Sequence, residues 1–395
     1  MSIADRERAA VRPTDFLAVD DQLDDEERLI RDTIRRFVDD EVRPHVGDWF
    51  EQATIPRELA KQLGELNVLG MHLEGYGCAG ASATAYGLAC MELEAGDSGV
   101  RSLVSVQGSL AMYAIWRWGS EEQKQEWLPR MASGDAIGCF ALTEPDSGSD
   151  PGSMRTRARR SGTDWVLHGQ KMWITNGSIS DVAIVWAQTD DGVRGFVVPT
   201  STPGVATQDI HHKLSLRASV TSEILLDDVR LPAEAALPGG SGLKAPLACL
   251  NEARYGIVWG AAGAARACFE AALEYAGERV QFGRPIASFQ LQQAKLAQMA
   301  LDVNRATLMA LHLGRMKDAG RLLPEQVSMG KLGNVNAALD VARTARQVLG
   351  ANGVTLEYPV IRHMNNLESV VTYEGTADVH ALVVGAALTG LPAFR

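Results

Sequence analysis

Hydrophobic positions along this 395-residue chain change their spacing twice. From Asp24 onward, Leu29, Ile30, Ile34, Phe37, Val38 and Val42 recur at helical intervals, and Pro44 stops the run. Pro56 opens a second helical stretch through Leu59, Leu63, Leu66 and Leu69. Residues 83–95 and 103–118 read as two largely apolar, hence buried, helices, and Ser120-Glu121-Glu122-Gln123 starts another that ends near Pro129. Near Gly134 the texture shifts to short runs rich in Val, Ile, Trp and Phe, at 136–142, 165–167, 171–175, 182–188, 193–198 and 224–229. No helical pattern intervenes, which predicts an antiparallel sheet or barrel rather than a parallel doubly wound one. After Pro238-Gly239-Gly240 the helical period returns in long alanine-rich runs, 245–277, 288–319, 324–350 and 376–390. The predicted fold class is α+β, mainly α: an N-terminal helical domain (1–135), a middle antiparallel β-barrel-like domain (136–238) and a C-terminal four-helix bundle domain (239–395). Residues up to about 20 lack any period and read as a loose arm.

Composition narrows the function classes. A net charge of -11 and a pI near 5.3 argue against nucleic acid as a general partner, because phosphate binding needs a basic face. The one basic cluster, Arg155 to Arg160, reads as a solvated turn. Five scattered cysteines without a CxxC pair suggest neither a zinc ribbon nor a disulfide framework. The charged N-terminus and the lack of a long apolar run predict a cytoplasmic protein without membrane spans.

Several segments carry candidate chemistry. Gly75, Gly77 and Gly80 match GxGxxG, but a helix end precedes them, so a helix–helix loop is predicted rather than a dinucleotide fold. His211-His212 has no third ligand at metal spacing, and adjacent strand residues face opposite ways. Leu142-Thr143-Glu144-Pro145-Asp146-Ser147-Gly148-Ser149-Asp150 follows an apolar strand and gathers hydroxyls and turn residues able to serve an anionic ligand. Lys171 to Asn176 sets a tryptophan beside a hydroxyl, and Arg279 to Ile286 ends a helix with cationic and amide donors. Tyr373-Glu374-Gly375-Thr376-Ala377-Asp378 places a carboxylate between an aromatic ring and a glycine that permits close approach. Locally, that glutamate reads as a helix start with Thr376 and Asp378 as capping residues; partial burial would instead make it a proton-abstracting base.

Taken in order, these segments resemble the acyl-CoA dehydrogenase family across nearly the whole chain. The segment Asp97 to Gln107, with Lys213 to Ser219, Asn251 to Gly256 and Asn366 to Phe394, is similar to its glutaryl-CoA dehydrogenases. The resemblance implies FAD as cofactor, contacted by Phe140, Leu142, Thr143, Ser149, Trp173, Ile174, Thr175, Arg279, Gln281, Phe282, Gln290, Gln347, Leu349, Gly350, Thr376, Asp378 and Phe394. It implies Glu374 as the base that takes the proton α to a thioester carbonyl, with its backbone N–H and a flavin hydroxyl polarising that carbonyl. Substrate contacts fall on Glu94, Arg101, Ser102, Ser105, Ser149, Asn251, Arg254, Tyr373 and Gly375. Arg101 is expensive on an apolar helix unless a carboxylate answers it, either Glu94 or the free end of an acyl chain. Oxidative decarboxylation of glutaryl-CoA, an electron-transfer flavoprotein as acceptor and a homotetramer complete what the resemblance implies. The alternative is a short- or branched-chain acyl-CoA dehydrogenase in which Arg101 is structural. Val100 stands where an aromatic is usual in the glutaryl enzymes.

Overall fold

A computed structural model describes residues 11–393, so the first half of the expected N-terminal arm and Phe394 lie outside the described residues. The N-terminal part is helical, with α1 (Asp25–Phe37), α2 (Val46–Gln52), α3 (Glu58–Glu65), α4 (Ala83–Gly96), α5 (Ser98–Ser105), α6 (Tyr113–Trp118) and α7 (Glu121–Ala132). Local capping sets several boundaries. Asp24 and Ser120 each form reciprocal capping boxes, and Asp97 accepts from Gly99 N at 2.6 Å to start α5. The helix expected from 103 therefore begins earlier, and Val106–Met112 continues it into α6 through wider π-helical turns. Gly75–Gly80 lies between α3 and α4, with no strand before it among the described residues.

The middle part is a sheet of β1 (Gly138–Ala141), β2 (Arg157–Ser161), β3 (Asp164–Thr175), β4 (Val182–Thr189), β5 (Gly192–Pro199), β6 (Val205–Asp209), β7 (Thr221–Leu231) and β8 (Ala236–Ser241). The strands run in the order β6-β7-β3-β2-β4-β5-β8, with β1 beside β4. Most pairs are antiparallel, as predicted, but β1 and β2 each pair with β4 in parallel. The basic cluster is not a turn. Arg157–Ser161 pairs with Asp164–His168, Ala158 points into the core, and the Arg160 guanidinium covers the Trp165 ring at 3.8 Å. Alternating basic residues disguised a strand because their side chains stand outward in water. The two runs at 165–167 and 171–175 are one strand, β3, bent by bulges between Leu167 and Gly169 and between Lys171 and Ile174.

A two-residue ladder, β9 (Val280–Gln281) with β10 (Arg284–Pro285), interrupts the C-terminal helices α8 (Lys244–Glu278), α9 (Gln290–Asp318), α10 (Pro324–Leu349), α11 (Val360–Val370) and α12 (Ala377–Thr389). Helix α8 is the spine of the molecule. It packs on α4 in the N-terminal part and on α9 and α10 in the bundle, and α10 in turn carries α11 and α12. Small residues allow the close α4–α8 approach: a Cβ at Gly263 would lie 2.8 Å from the Met91 carbonyl carbon. A buried ion cluster ties the same elements together. Glu92 on α4 accepts from Arg266 on α8 at 2.7 and 2.5 Å and from Arg35 on α1 at 2.9 and 3.0 Å.

Candidate active site

The turn between α11 and α12 carries Tyr373, Glu374 and Gly375, with Val370 packed below it in the bundle core. Thr376 does cap α12, its hydroxyl accepting from Val379 N at 3.2 Å. Glu374 is no helix start, however: it has φ 52, a left-handed conformation costly for a non-glycine residue. Gly375 follows at φ 95, where a Cβ would come within 2.9 Å of His380 Nε2.

Two cations, the buried Lys331 and the half-buried Arg254, hold this strained turn by its carbonyls. Lys331 Nζ on α10 donates to Tyr373 O at 2.6 Å and Gly375 O at 2.7 Å. Arg254 Nε on α8 donates to Glu374 O at 2.7 Å, while its Nη1 reaches Asn251 Oδ1 at 3.2 Å. The carbonyls of the turn are therefore satisfied and the Glu374 side chain is not: its Oε2 is shielded from water and has no hydrogen-bond partner. Burial raises the Glu374 pKa, with Arg101, Lys331 and Arg254 pulling the other way. A desolvated carboxylate with an unused oxygen is suited to taking a proton from a bound molecule.

Arg101 on α5 closes the site. It is fully buried, its Nε donates to Glu94 Oε2 at 2.5 Å, and its Nη2 donates to the Tyr373 hydroxyl. Ser98 Oγ donates to the other Glu94 oxygen at 2.8 Å, and Ser102 Oγ lies 3.5 Å from the Tyr373 hydroxyl. Burial pushes Tyr373 up to about 12, so it stays a phenol. Glu94, Arg101, Ser102, Asn251, Arg254, Tyr373, Glu374 and Gly375 thus meet in one cluster. Ser105, one turn along α5, is buried with an unpartnered hydroxyl.

A second group surrounds the 142–150 loop. Lys171, wholly buried, donates to Leu142 O and Glu144 Oε1, each at 2.9 Å. Glu144 also accepts from Thr156 N at 2.9 Å and from Arg155 N at 2.5 Å. The loop is thereby clamped to β3, and Glu144, read as a turn residue, is a buried anchor. At the bulge Trp173 takes φ 62 and turns outward, 55% exposed, beside Thr175; Ser149 is exposed on the loop. Phe140, Leu142, Ile174 and Leu349 are buried in the core, leaving mainly backbone groups to a ligand. Arg279, Gln281, Phe282 and Gln290 sit around the exposed β9–β10 turn, where Phe282 has φ 53 and is 94% exposed. Gln347 and Gly350 are exposed where α10 ends, and Asp378 is exposed at the start of α12. No hydrogen bond among the described residues joins the β9–β10 turn to the Glu374 cluster.

Sequence reading missed Lys331 and His380. Lys331 had a legible signal, since it occupies the α10 face otherwise formed by Val327, Val335 and Ala338. His380 carried none. A surface groove of about 580 Å³ bounded by Arg35, Asp39, Glu270, Glu274 and Tyr358 contains none of these site residues. Among the described residues no helix is long and apolar enough to cross a membrane.

Family models described as acyl-CoA dehydrogenase N-terminal, middle and C-terminal domains match residues 24–135, 139–229 and 240–389. The chain is 36% identical to the short-chain specific acyl-CoA dehydrogenase, mitochondrial, of Bos taurus, over 93% of this chain and 91% of that one. It superposes on a glutaryl-CoA dehydrogenase from Mycobacterium smegmatis in complex with FADH2, with TM-score 0.96 and 62% identity, covering 97% and 99% of the two chains. Butyryl-CoA dehydrogenase from Megasphaera elsdenii is similar at TM-score 0.89 and 32% identity, covering 93% of this chain and 98% of that one.

Proposed function

This chain belongs to the acyl-CoA dehydrogenase family, and from that premise we propose that it oxidises and decarboxylates glutaryl-CoA to crotonyl-CoA and CO2, using FAD and passing electrons to an electron-transfer flavoprotein. The observation that carries the substrate is the buried Arg101. Glu94 and Tyr373 engage Nε and Nη2, and Nη1 makes no hydrogen bond within the described protein. That leaves one edge of a planar cation for the distal carboxylate of the acyl chain.

The residues present fit FAD. Trp173 is displayed on a bulge of the strand that carries Thr175, and the adjoining 142–150 loop adds Thr143 and the exposed Ser149, offering a flat ring and polar donors. Arg279, Gln281 and Phe282 supply a second exposed set, consistent with a cofactor shared between subunits of a homotetramer. The exposed Leu291, Leu382 and Leu388 of the bundle support such an assembly. When bound, FAD accepts the hydride from the β carbon.

The chain's own residues do the rest. Arg101 fixes the far end of the acyl chain, so that its α carbon stands before Glu374. The Glu374 carboxylate takes the α proton, and its backbone N–H polarises the thioester oxygen as charge develops. Loss of CO2 from the unsaturated acid leaves a carbanion that needs one proton, and Glu374, now protonated, returns it.

An anaerobic screen of flavin bleaching by glutaryl-, butyryl- and isobutyryl-CoA, with CO2 collected, tests the proposal. Glutaryl-CoA is expected to bleach fastest and release CO2. Faster bleaching by an uncharged chain, with no CO2 from glutaryl-CoA, would select the short- or branched-chain alternative.

A further inference from the structure

Lys331 has no place in the chemistry above, yet it is 2% exposed and forms no ion pair with a carboxylate among the described residues. An ammonium in such surroundings is expensive, and a neutral amide could satisfy the same carbonyls at lower cost. Its two bonds are specific: they go to the carbonyls on either side of Glu374, while Arg254 takes the carbonyl of Glu374 itself. Three successive carbonyls are thus drawn towards two cations from α10 and α8. The peptide units cannot rotate, and Glu374 is kept in its left-handed conformation.

We propose that Lys331 is a positioning residue for the base: it clamps both flanks of Glu374 and supplies the positive field that keeps a buried carboxylate ionised and ready to accept a proton. This rests on Glu374 being the base. The charged and titratable groups around Lys331 are Glu374 and the Tyr373 phenol on the turn, Arg254 on α8, Arg101 on α5 and His380 on α12, with Glu94 on α4 behind Arg101. Burial pushes Lys331 down to about 7, against the opposing pull of Glu374, and pushes His380 down to about 3, so the imidazole is neutral and adds no competing charge. The field at Glu374 therefore comes from Arg101, Lys331 and Arg254, and only Lys331 holds both neighbouring peptides.

Two variants separate its roles. Lys331→Met removes the donors and the charge; Lys331→Gln removes the charge and keeps an amide donor on a shorter side chain. With an acyl-CoA that bleaches the wild-type flavin, Lys331→Met should slow anaerobic bleaching about a hundredfold at saturation, as an ångström-scale displacement of a catalytic group does, with KM little changed. Both variants should move the acid limb of the pH–rate profile to higher pH, because a cation that favours the carboxylate form is gone. An infrared titration without substrate provides an independent reading. The C=O stretch of protonated Glu374, assigned by its loss in Glu374→Gln, should persist to higher pH in Lys331→Gln than in the wild type. An unchanged acid limb and an unchanged infrared titration overturn the proposal, even if the rate falls. Strong bleaching by Glu374→Gln would instead remove Glu374 as the base, and the proposal with it.

Discussion

Gly260 offers a way to disturb the Arg101 clamp without deleting any charge. It lies on α8 directly opposite Glu94. A Cβ there would sit 2.8 Å from Glu94 Cδ, closer still to Oε2, and 3.2 Å from Arg101 Nε. Carbon atoms in ordinary contact stand about 3.5–4.0 Å apart, so in Gly260→Ala the carboxylate must retreat by roughly 1 Å. Overpacking of this kind costs about 1–3 kcal/mol, and the better helix propensity of alanine returns roughly 1 kcal/mol. The fold should therefore survive with a modestly lower Tm. The displaced Glu94 no longer holds Arg101 Nε, and a charge-assisted hydrogen bond to the substrate, worth about 1.5–3 kcal/mol, is weakened or lost. That range corresponds to a fall of about ten- to a hundredfold in kcat/KM for glutaryl-CoA, with little change for butyryl-CoA, which offers no carboxylate. Steady-state assays with an artificial electron acceptor give both values, and the ratio between substrates is the diagnostic quantity. An unchanged ratio in a folded, flavin-loaded Gly260→Ala protein would refute the assignment of Arg101 to the acyl carboxylate.

Other perturbations test the scaffold. Burial alone would raise the Glu92 pKa, but Arg266 and Arg35 outweigh it and hold the group down at about 2. Bringing it from its usual 4.5 corresponds to about 3 kcal/mol of stability, present above the ordinary carboxylate range and lost as pH falls through about 2. Glu92→Gln should lower neutral-pH stability by about 3–5 kcal/mol, since it strands Arg266, and should flatten the acid side of a stability-versus-pH curve from chemical denaturation. A wild-type slope retained in the variant would show that other carboxylates govern acid unfolding. Lys171→Met leaves the buried Glu144 without its countercharge, held only by the Arg155 and Thr156 N–H groups, so a loss of about 3 kcal/mol is expected, together with easier release of flavin during gel filtration. Unaltered flavin retention would mean that the 142–150 loop needs no clamp to hold the cofactor.

The helical, β, helical order was legible along the chain because periodicity and turn chemistry are local properties. The helix start at Ser120, the β character around Val182 and the long runs of α8, α9 and α10 needed no partner to be recognised. Elements whose stability comes from neighbours were hidden: β2 looked like a basic turn, and β6, β8 and α11 gave no strong period. The site divides in the same way. Glu374 could be singled out from its flanking aromatic and glycine, but locally a helix start was the simpler reading. Its left-handed backbone and idle carboxylate oxygen arise from cations on α8 and α10. Arg101 was recognisable as a buried charge in need of an answer. Half of that answer is Tyr373, 272 positions away, and the space it occupies beside Glu94 exists because Gly260 lacks a side chain. Local sequence reports what one residue prefers. Which charges face one another in a medium that penalises every unpaired one depends on packing between distant helices, and here that packing leaves a Glu374 oxygen buried without a partner, the feature on which its proposed role as base rests.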